Sequence, residues 1–306
     1  LNGKVGGDVD VSAVSTLTGS VAELTALLDG HGNLDNAPGF DTFATNTSII
    51  LTGTVSASEA NTAAAWAKGT GTLTATVAAD TAANLVGGTS QVSGDALTLT
   101  VIGAASAADL LTLDTRTTVS VDISGVTTIT GTQADITSVY TSAFMGQGDE
   151  ALVVSDATIT AADATQALGW TTGVVTATVA ADTAADLNAD LTGASGADAL
   201  TLEISAGTAS AADLIALAGK TSVAVNASAV TTVTGSAAEL QTLYTLGASE
   251  ITGLGHENLE ITGTPSAAEA NAVALLTSGI VTAALASGSA AELNAALTET
   301  SVNAWT

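Results

Sequence analysis

The stretch TASAADLIALA (Thr208–Ala218) decides how this chain is organised. Ser210 is followed three positions later by Asp213, and Leu214 and Leu217 follow at helical spacing. A hydroxyl in this position accepts a hydrogen bond from a free backbone N–H of the first helical turn. The acidic residue reaches back to the start of the helix or meets its positive end. The stretch therefore predicts a helix that begins directly after Ser210.

The same phrase occurs eleven times along the 306 residues. Each copy has Ser or Thr, two mostly small residues, and then Asp, Glu or Asn. The predicted N-caps are Ser20, Ser56, Thr81, Ser106, Thr132, Thr160, Thr183, Ser210, Ser236, Ser266 and Ser289. One structural signal that recurs at near-regular spacing is typical of a repeat array.

Each repeat unit, or coil, also carries a strand pattern before its cap. Leu73–Val77 and Leu97–Val101 alternate apolar and polar residues with a period of two. One short parallel strand plus one short helix per coil of about 23–30 residues predicts an α/β fold. Crossovers of this kind are right-handed, so we expect a right-handed solenoid that stacks as leucine-rich repeats do.

A longer period groups the coils in fours. The segment TLTATVAAD (Thr72–Asp80) returns as VVTATVAAD (Val174–Asp182), which indicates a super-repeat of roughly 100 residues. We name the coils by their caps: A (Ser56, Thr160, Ser266), B (Thr81, Thr183, Ser289), C (Ser106, Ser210) and D (Ser20, Thr132, Ser236). We expect one continuous solenoid over 1–306, with super-repeats at about 1–47 (partial), 48–150, 151–257 and 258–306 (partial). The pattern breaks off at both ends, so we expect a segment of a longer protein.

Composition and charge exclude several classes of protein. The chain has 4 Lys plus Arg against 30 Asp plus Glu, and its formal net charge is −26. Nucleic-acid binding requires a basic surface, and an anionic membrane would repel this chain. No apolar stretch is long enough for a membrane span, and the lack of cysteine excludes disulfides and thiolate metal sites. We therefore expect neither nucleic-acid binding nor membrane insertion.

The loops between D and A coils contain the one candidate metal motif. They share Gly-x-Gly-[Asp/His]-Glu at 146–150 and 253–257. Glycines with the carboxylates of Asp149, Glu150 and Glu257 are compatible with a weak calcium site, although calcium takes six to eight oxygens. A simple turn explains the motif as well, and both interpretations stay open. The sequence predicts no other cofactor and no catalytic constellation.

Large residues are rare and fall at repeated positions. Trp66 and Trp170 each lie ten residues after the caps of A coils, and Leu28, Tyr140 and Tyr244 lie eight after those of D coils. We expect them to fill gaps between alanine-rich helices. A platform for stacking a ligand is the alternative.

The recurring sequence motifs and the composition of the chain resemble those of a known group of proteins. Its Ser-Ala-Ala-Asp/Glu-Leu phrases, strand ends such as Ile261-Thr262-Gly263-Thr264, and Ala/Thr/Gly/Val/Asp bias without cysteine resemble repeat regions of giant secreted bacterial surface proteins. Such proteins occur in marine bacteria and cyanobacteria. The resemblance implies export and a role in a surface layer, adhesin or extracellular filament.

These patterns favour a non-enzymatic structural module of a secreted or cell-surface protein. It would act as a stiff spacer or a self-associating building block, with neighbouring repeats as end-to-end partners. The alternative is an adhesin-type module that binds a glycan, cell or ice surface through its long loops or a threonine-rich sheet face. The threonine pairs are Thr74/Thr76, Thr98/Thr100 and Thr176/Thr178.

Overall fold

The computed structural model describes residues 9–28, 43–89, 94–297 and 303–306. By its internal contacts the chain divides into two compact units, Leu1–Ala151 and Leu152–Thr306. The partial super-repeat at 1–47 lies partly outside the described residues. The single continuous solenoid over 1–306 and its super-repeat boundaries stay predictions.

In the first unit, strands alternate with helices of seven to nine residues. In chain order the elements are β1 (Thr16–Gly19), α1 (Val21–Leu28), β2 (Ser48–Val55), α2 (Ala57–Ala64), β3 (Leu73–Val77), α3 (Ala82–Gly88), β4 (Ala96–Thr98), β5 (Thr100–Ser106), α4 (Ala107–Asp114), β6 (Asp122–Gly131) and α5 (Gln133–Thr141). Both sheets of this unit are parallel, with strand order β1-β2-β3-β4 in one and β5 beside β6 in the other.

The second unit repeats this alternation, and its first strand begins at Ala151, the last residue of the first unit. Its elements are β7 (Ala151–Val154), α6 (Ala161–Trp170), β8 (Val175–Thr178), α7 (Ala184–Asp190), β9 (Ala199–Thr201), β10 (Gly207–Ser210), α8 (Ala211–Ala218), β11 (Val225–Asn226), β12 (Val230–Gly235), α9 (Ala237–Thr245), β13 (Ile251–Thr252), β14 (Asn258–Ile261), α10 (Ala267–Ala274), β15 (Val281–Ala283), α11 (Ala290–Ala296) and β16 (Ala304–Trp305). The parallel strand orders are β7-β8-β9, β10-β12-β14-β15-β16 and β11-β13.

Parallel pairing follows from the alternation of elements, because each helix returns the chain to the same end of the sheet. The predicted α/β class, with parallel strands alternating with helices, is confirmed. The period-two pattern also holds: in β3, Leu73, Ala75 and Val77 are buried, whereas Thr74 and Thr76 are exposed.

Small residues let the helices of neighbouring coils approach each other. Ala60 and Ala63 of α2 are fully buried, as are Ala164 and Ala167 of α6. Parallel strands lie about 4.8 Å apart, whereas packed helices need about 8–10 Å. Alanine at the contact positions reduces this mismatch between the helix layer and the sheet.

All eleven phrases place their hydroxyl directly before a helix. Each hydroxyl accepts a hydrogen bond from the backbone N–H three residues later, at 3.0–3.4 Å. In Ser56, Thr160, Ser236, Ser266 and Ser289 the acidic side chain also returns to the backbone N–H of the cap. A cap of this kind stabilises a helix by about 1 kcal/mol.

Candidate functional site

Each of the two D-to-A loops that carry the Gly-x-Gly-[Asp/His]-Glu motif, 142–150 and 246–257, ends in a buried glutamate. Glu150 is 1% exposed and Glu257 is 5% exposed. Glu150 Oε2 accepts hydrogen bonds from the backbone N–H groups of Gly148 (2.9 Å) and Asp149 (3.2 Å). Glu257 Oε2 accepts from the corresponding groups, Gly255 (2.8 Å) and His256 (3.0 Å). The loop therefore folds its own backbone donors around its own carboxylate.

The first glycine of the motif is required by the geometry of the turn. Gly146 has φ 80° and Gly253 has φ 86°, a conformation that side chains with a Cβ rarely adopt. A Cβ at Gly146 would lie 2.5 Å from Ser124 Cβ, and one at Gly253 would lie 2.5 Å from Ser228 Cα. Both loops thus press against the strand region of their own D coil.

The two loops differ in what their second carboxylate oxygen meets. Tyr140 donates its hydroxyl to Glu150 Oε1. In the other loop, the Tyr244 hydroxyl and Glu257 Oε1 are both buried and have no hydrogen-bond partner among the described residues. Gly146 follows Tyr140 by six residues, whereas Gly253 follows Tyr244 by nine. Three additional residues therefore separate the tyrosine from the turn in the second loop.

A cavity lies at this longer loop. Its volume is about 160 Å³, and its walls include Leu243, Tyr244, Gly247, Ala248, Ile251 and Leu254. The walls are largely apolar side chains from the end of α9 and from the three-residue-longer connection.

The candidate calcium ligands do not come together as a cluster. Asp149 is exposed, whereas Glu150 and Glu257 are buried, with one oxygen of each engaged by backbone donors. In the described ranges no group of three or more His, Cys, Asp or Glu side chains is placed to hold a metal ion. Each loop offers far fewer oxygens than the six to eight that calcium takes. Calcium binding at these residues stays a prediction.

Two further buried carboxylates, which the sequence analysis missed, join neighbouring coils. Asp95 Oδ1 accepts the backbone N–H of Leu73 at 2.7 Å, and Asp198 Oδ1 accepts that of Val175 at 3.0 Å. Burial raises the pKa of Asp95, although the hydrogen bond from Leu73 opposes the shift. Asn303 Oδ1 accepts from Val281 in the same way, at 2.9 Å. A side-chain acceptor thus recurs at one place in successive super-repeats.

Two of the four basic residues donate hydrogen bonds to backbone carbonyls at the end of the helix in the preceding coil. Lys220 Nζ donates to the carbonyls of Asn188 (2.7 Å) and Leu191 (2.9 Å) at the end of α7. Arg116 Nη1 donates to the carbonyls of Val86 and Thr89 at the end of α3. The positive charges therefore satisfy carbonyls at the negative ends of helices.

An exposed row of threonines crosses three strands of the first unit, and it contains the predicted Thr76 and Thr98 together with Thr54, which was not predicted. Thr54, Thr76 and Thr98 lie side by side in β2, β3 and β4, and all three are exposed. Of the remaining predicted positions, Thr74 is exposed, and Thr100, Thr176 and Thr178 are half-buried. In the second unit, Glu260 interrupts the row between Thr234 and Thr282.

The large residues lie mainly against the core. Leu28 and Trp66 are buried, and Trp170, Tyr140 and Tyr244 are half-buried. This placement suits the filling of gaps between helices.

No protein-family model matches this chain, and neither a curated protein nor a solved structure matches it. The resemblance to repeat regions of giant bacterial surface proteins therefore stays a prediction. In the part of the chain that the structure describes, no helix is both long enough and apolar enough to cross a bilayer.

Proposed function

We propose that this chain is a non-enzymatic structural repeat module of a secreted or cell-surface protein. Its coils form a right-handed solenoid, and the module serves as a stiff spacer or a self-associating building block of an extracellular layer or filament. Neighbouring repeats, in the same chain or in a second copy, are its partners.

One observation carries this proposal: the chemically distinctive side chains bind neighbouring coils. Asp95 and Asp198, 103 residues apart, each accept a strand N–H from the coil before. Arg116 and Lys220, 104 residues apart, each satisfy a helix end in the coil before. The same contacts recur in successive super-repeats, so each coil offers the surface that the next coil needs.

The charge supports an extracellular assembly controlled by cations. Capping carboxylates such as Glu59, Glu239 and Glu269 lie at the surface beside helix starts. With a net charge of −26, two copies repel each other until cations screen or bridge the carboxylates. Self-association would therefore depend on ionic conditions.

Electron microscopy of the purified chain, with and without calcium, tests this function. Filaments or sheets support the building block, and separate particles in both conditions support the spacer. Asp149→Asn tests whether the D-to-A loop mediates a calcium effect, and Asp190→Asn, at another exposed aspartate, is its matched control. A reproducible turnover of any substrate by the purified chain would overturn the non-enzymatic proposal.

An adhesin-type binding module is the second candidate, and the exposed row Thr54–Thr76–Thr98 favours it. Regularly spaced hydroxyls on a flat sheet suit a glycan or an ice surface. Retention of the chain on polysaccharide beads or in growing ice tests this. Thr76→Lys should abolish retention and Thr282→Lys, on the interrupted row, should not. If the unaltered chain is not retained, this candidate is excluded.

A further inference from the structure

A groove on the exposed face of the sheet in the second unit combines one carboxylate with neutral polar groups and an exposed apolar side chain. It crosses β12, β14 and β15, and its volume is about 420 Å³. Sites for small ligands have volumes of about 300–1,000 Å³. The groove is lined by Thr232, Asn258, Leu259, Glu260, Ile280 and Thr282.

The pairing of the strands brings the polar groups of this groove together. Glu260 of β14 lies beside Thr282 of β15. Asn258, two residues earlier in β14, lies beside Thr232 of β12, and its Oδ1 accepts the backbone N–H of Ile280 at 2.9 Å. Neighbouring strands are about 4.8 Å apart, and alternate residues of one strand are about 6.6 Å apart. The polar groups therefore form a regular grid on a rigid surface.

The fold does not require the carboxylate of Glu260. The equivalent positions in the other A-coil strands carry Ile50 and Val153, and each lies beside a threonine of the next strand, as Glu260 does. Glu260 is exposed and has no hydrogen bond or ion pair with any described residue. Its charge therefore has no structural partner within the described chain, and it is accessible to a ligand.

These groups define the chemistry of a matching ligand. The carboxylate of Glu260 accepts charge-assisted hydrogen bonds from a cation. The hydroxyls of Thr232 and Thr282 donate and accept hydrogen bonds, and the amide of Asn258 carries two donors. Ile280, which is 46% exposed, provides an apolar surface. The net charge of −26 attracts cationic ligands and repels acidic ones. The ligand therefore has an ammonium group, several hydroxyls and an apolar C–H face.

We propose that this groove binds a glycan that carries free amino groups, such as a polymer of glucosamine units. The ammonium group of one sugar unit binds Glu260, its hydroxyls bond with Thr282 and Asn258, and the C–H face of its ring lies on Ile280. The site uses the charge that interrupts the threonine row, so it differs from the neutral row of the first unit. It is independent of the spacer or building-block role, which electron microscopy tests.

Amide NMR spectra of the isotope-labelled full chain, recorded during titration with the glucosamine trimer, test the proposal. At about pH 6 the amines are protonated and the carboxylates are ionised. We expect saturable shifts concentrated at residues 232, 258–260 and 280–282. The N-acetylated trimer, which keeps the sugar rings without the charge, should bind about threefold to fivefold more weakly. Propylammonium, which has the charge without hydroxyls, should be weaker by at least as much.

Variants decide whether Glu260 is responsible. Glu260→Gln should weaken binding of the glucosamine trimer about threefold to fivefold. Glu203→Gln, the matched change at another exposed glutamate of this unit, should leave it unchanged. Glu260→Val introduces the residue found at the equivalent position 153, so it should fold normally and weaken binding at least as much. Shifts that spread over the surface carboxylates without saturation, equal binding of the two trimers, or equal effects of the two glutamine variants would overturn the proposal.

Discussion

The two D-to-A loops that carry the motif both bind their glutamate through two backbone N–H groups. Only the loop of the first unit also has a hydrogen bond from its tyrosine to this glutamate. In the first unit, six residues separate Tyr140 from Gly146, and the tyrosine meets Glu150. In the second unit nine residues separate Tyr244 from Gly253, and neither Tyr244 nor Glu257 completes its hydrogen bonds within the described structure. Local contacts of the motif thus survive an insertion that breaks a contact across the loop.

The difference shows that two layers of interaction stabilise these loops. The bonds from Gly255 and His256 to Glu257 span one or two residues, so loop length cannot alter them. The tyrosine contact joins residues ten apart in the first unit, and the equivalent contact in the second unit would join residues thirteen apart. A cavity lined by Tyr244 and Ile251 lies at the longer loop.

The largest expected effect comes from the turn glycines. Gly146→Ala adds a positive-φ strain of about 1–2 kcal/mol and overlaps with Ser124 that cost about 1–3 kcal/mol more. Gly253→Ala should cost as much if the longer loop is equally rigid. Gly263→Ala, at φ 80° with open space around it, isolates the strain alone. Urea denaturation measures the loss of unfolding free energy in all three variants. A much smaller loss for Gly253→Ala than for Gly146→Ala would show that the longer loop is less rigid.

Next in size is the tyrosine hydroxyl. Tyr140→Phe removes the hydroxyl that donates to the buried Glu150 Oε1 and should lower the free energy of unfolding by about 1–3 kcal/mol. Tyr244→Phe removes a hydroxyl that has no hydrogen-bond partner among the described residues, so it should be neutral or stabilising. Chemical denaturation of the two variants side by side checks this. Equal losses would mean that the two loops close alike.

Removal of the N-cap hydroxyl of a D coil should lower stability equally in the two units. Thr132→Ala and Ser236→Ala each remove the acceptor of a first-turn N–H, so each should cost about 1 kcal/mol. Ser138→Ala, at an exposed hydroxyl inside α5, is the control and should change stability little. If one cap proves dispensable, the two D coils are not energetically equivalent.

The smallest effect is on pH dependence. Hydrogen bonds from the backbone and side chain of Ser236 lower the pKa of Glu239 below 4.5. Because the folded-state pKa is the lower one, this stabilisation is present above pH 4.5 and disappears as the pH falls through the folded value. Glu239→Gln should therefore show a shallower loss of stability on acidification than the unaltered chain. If stability falls with pH in the same way for Glu239→Gln and for the unaltered chain, Glu239 does not contribute to the pH dependence.

The helix caps could be predicted from the sequence because both partners of each cap lie within one turn. Ser236 and Glu239 are three residues apart, so cap and helix start are visible together. Period-two burial in β3 is equally local. These signals lead to the α/β class with parallel strands.

Interactions between distant residues escaped prediction. Asp95 binds Leu73 across 22 residues, and only the strand register brings them together. Tyr140 was expected to fill a gap, and its bond to Glu150 depends on how the loop closes. The nest around Glu150 is local, and the Gly-x-Gly-x-Glu spacing could have indicated it. That spacing was instead interpreted as a simple turn or a calcium site.

The donation of Arg116 and Lys220 to helix carbonyls has a consequence for behaviour in brine. Salt screens the mutual repulsion of the 30 carboxylates, which favours the folded chain. The contacts of Lys220 with carbonyls, at 2.7 and 2.9 Å, are too short for the same screening to weaken them much. The protein should therefore gain thermal stability as ionic strength rises, which thermal denaturation at increasing salt concentration measures.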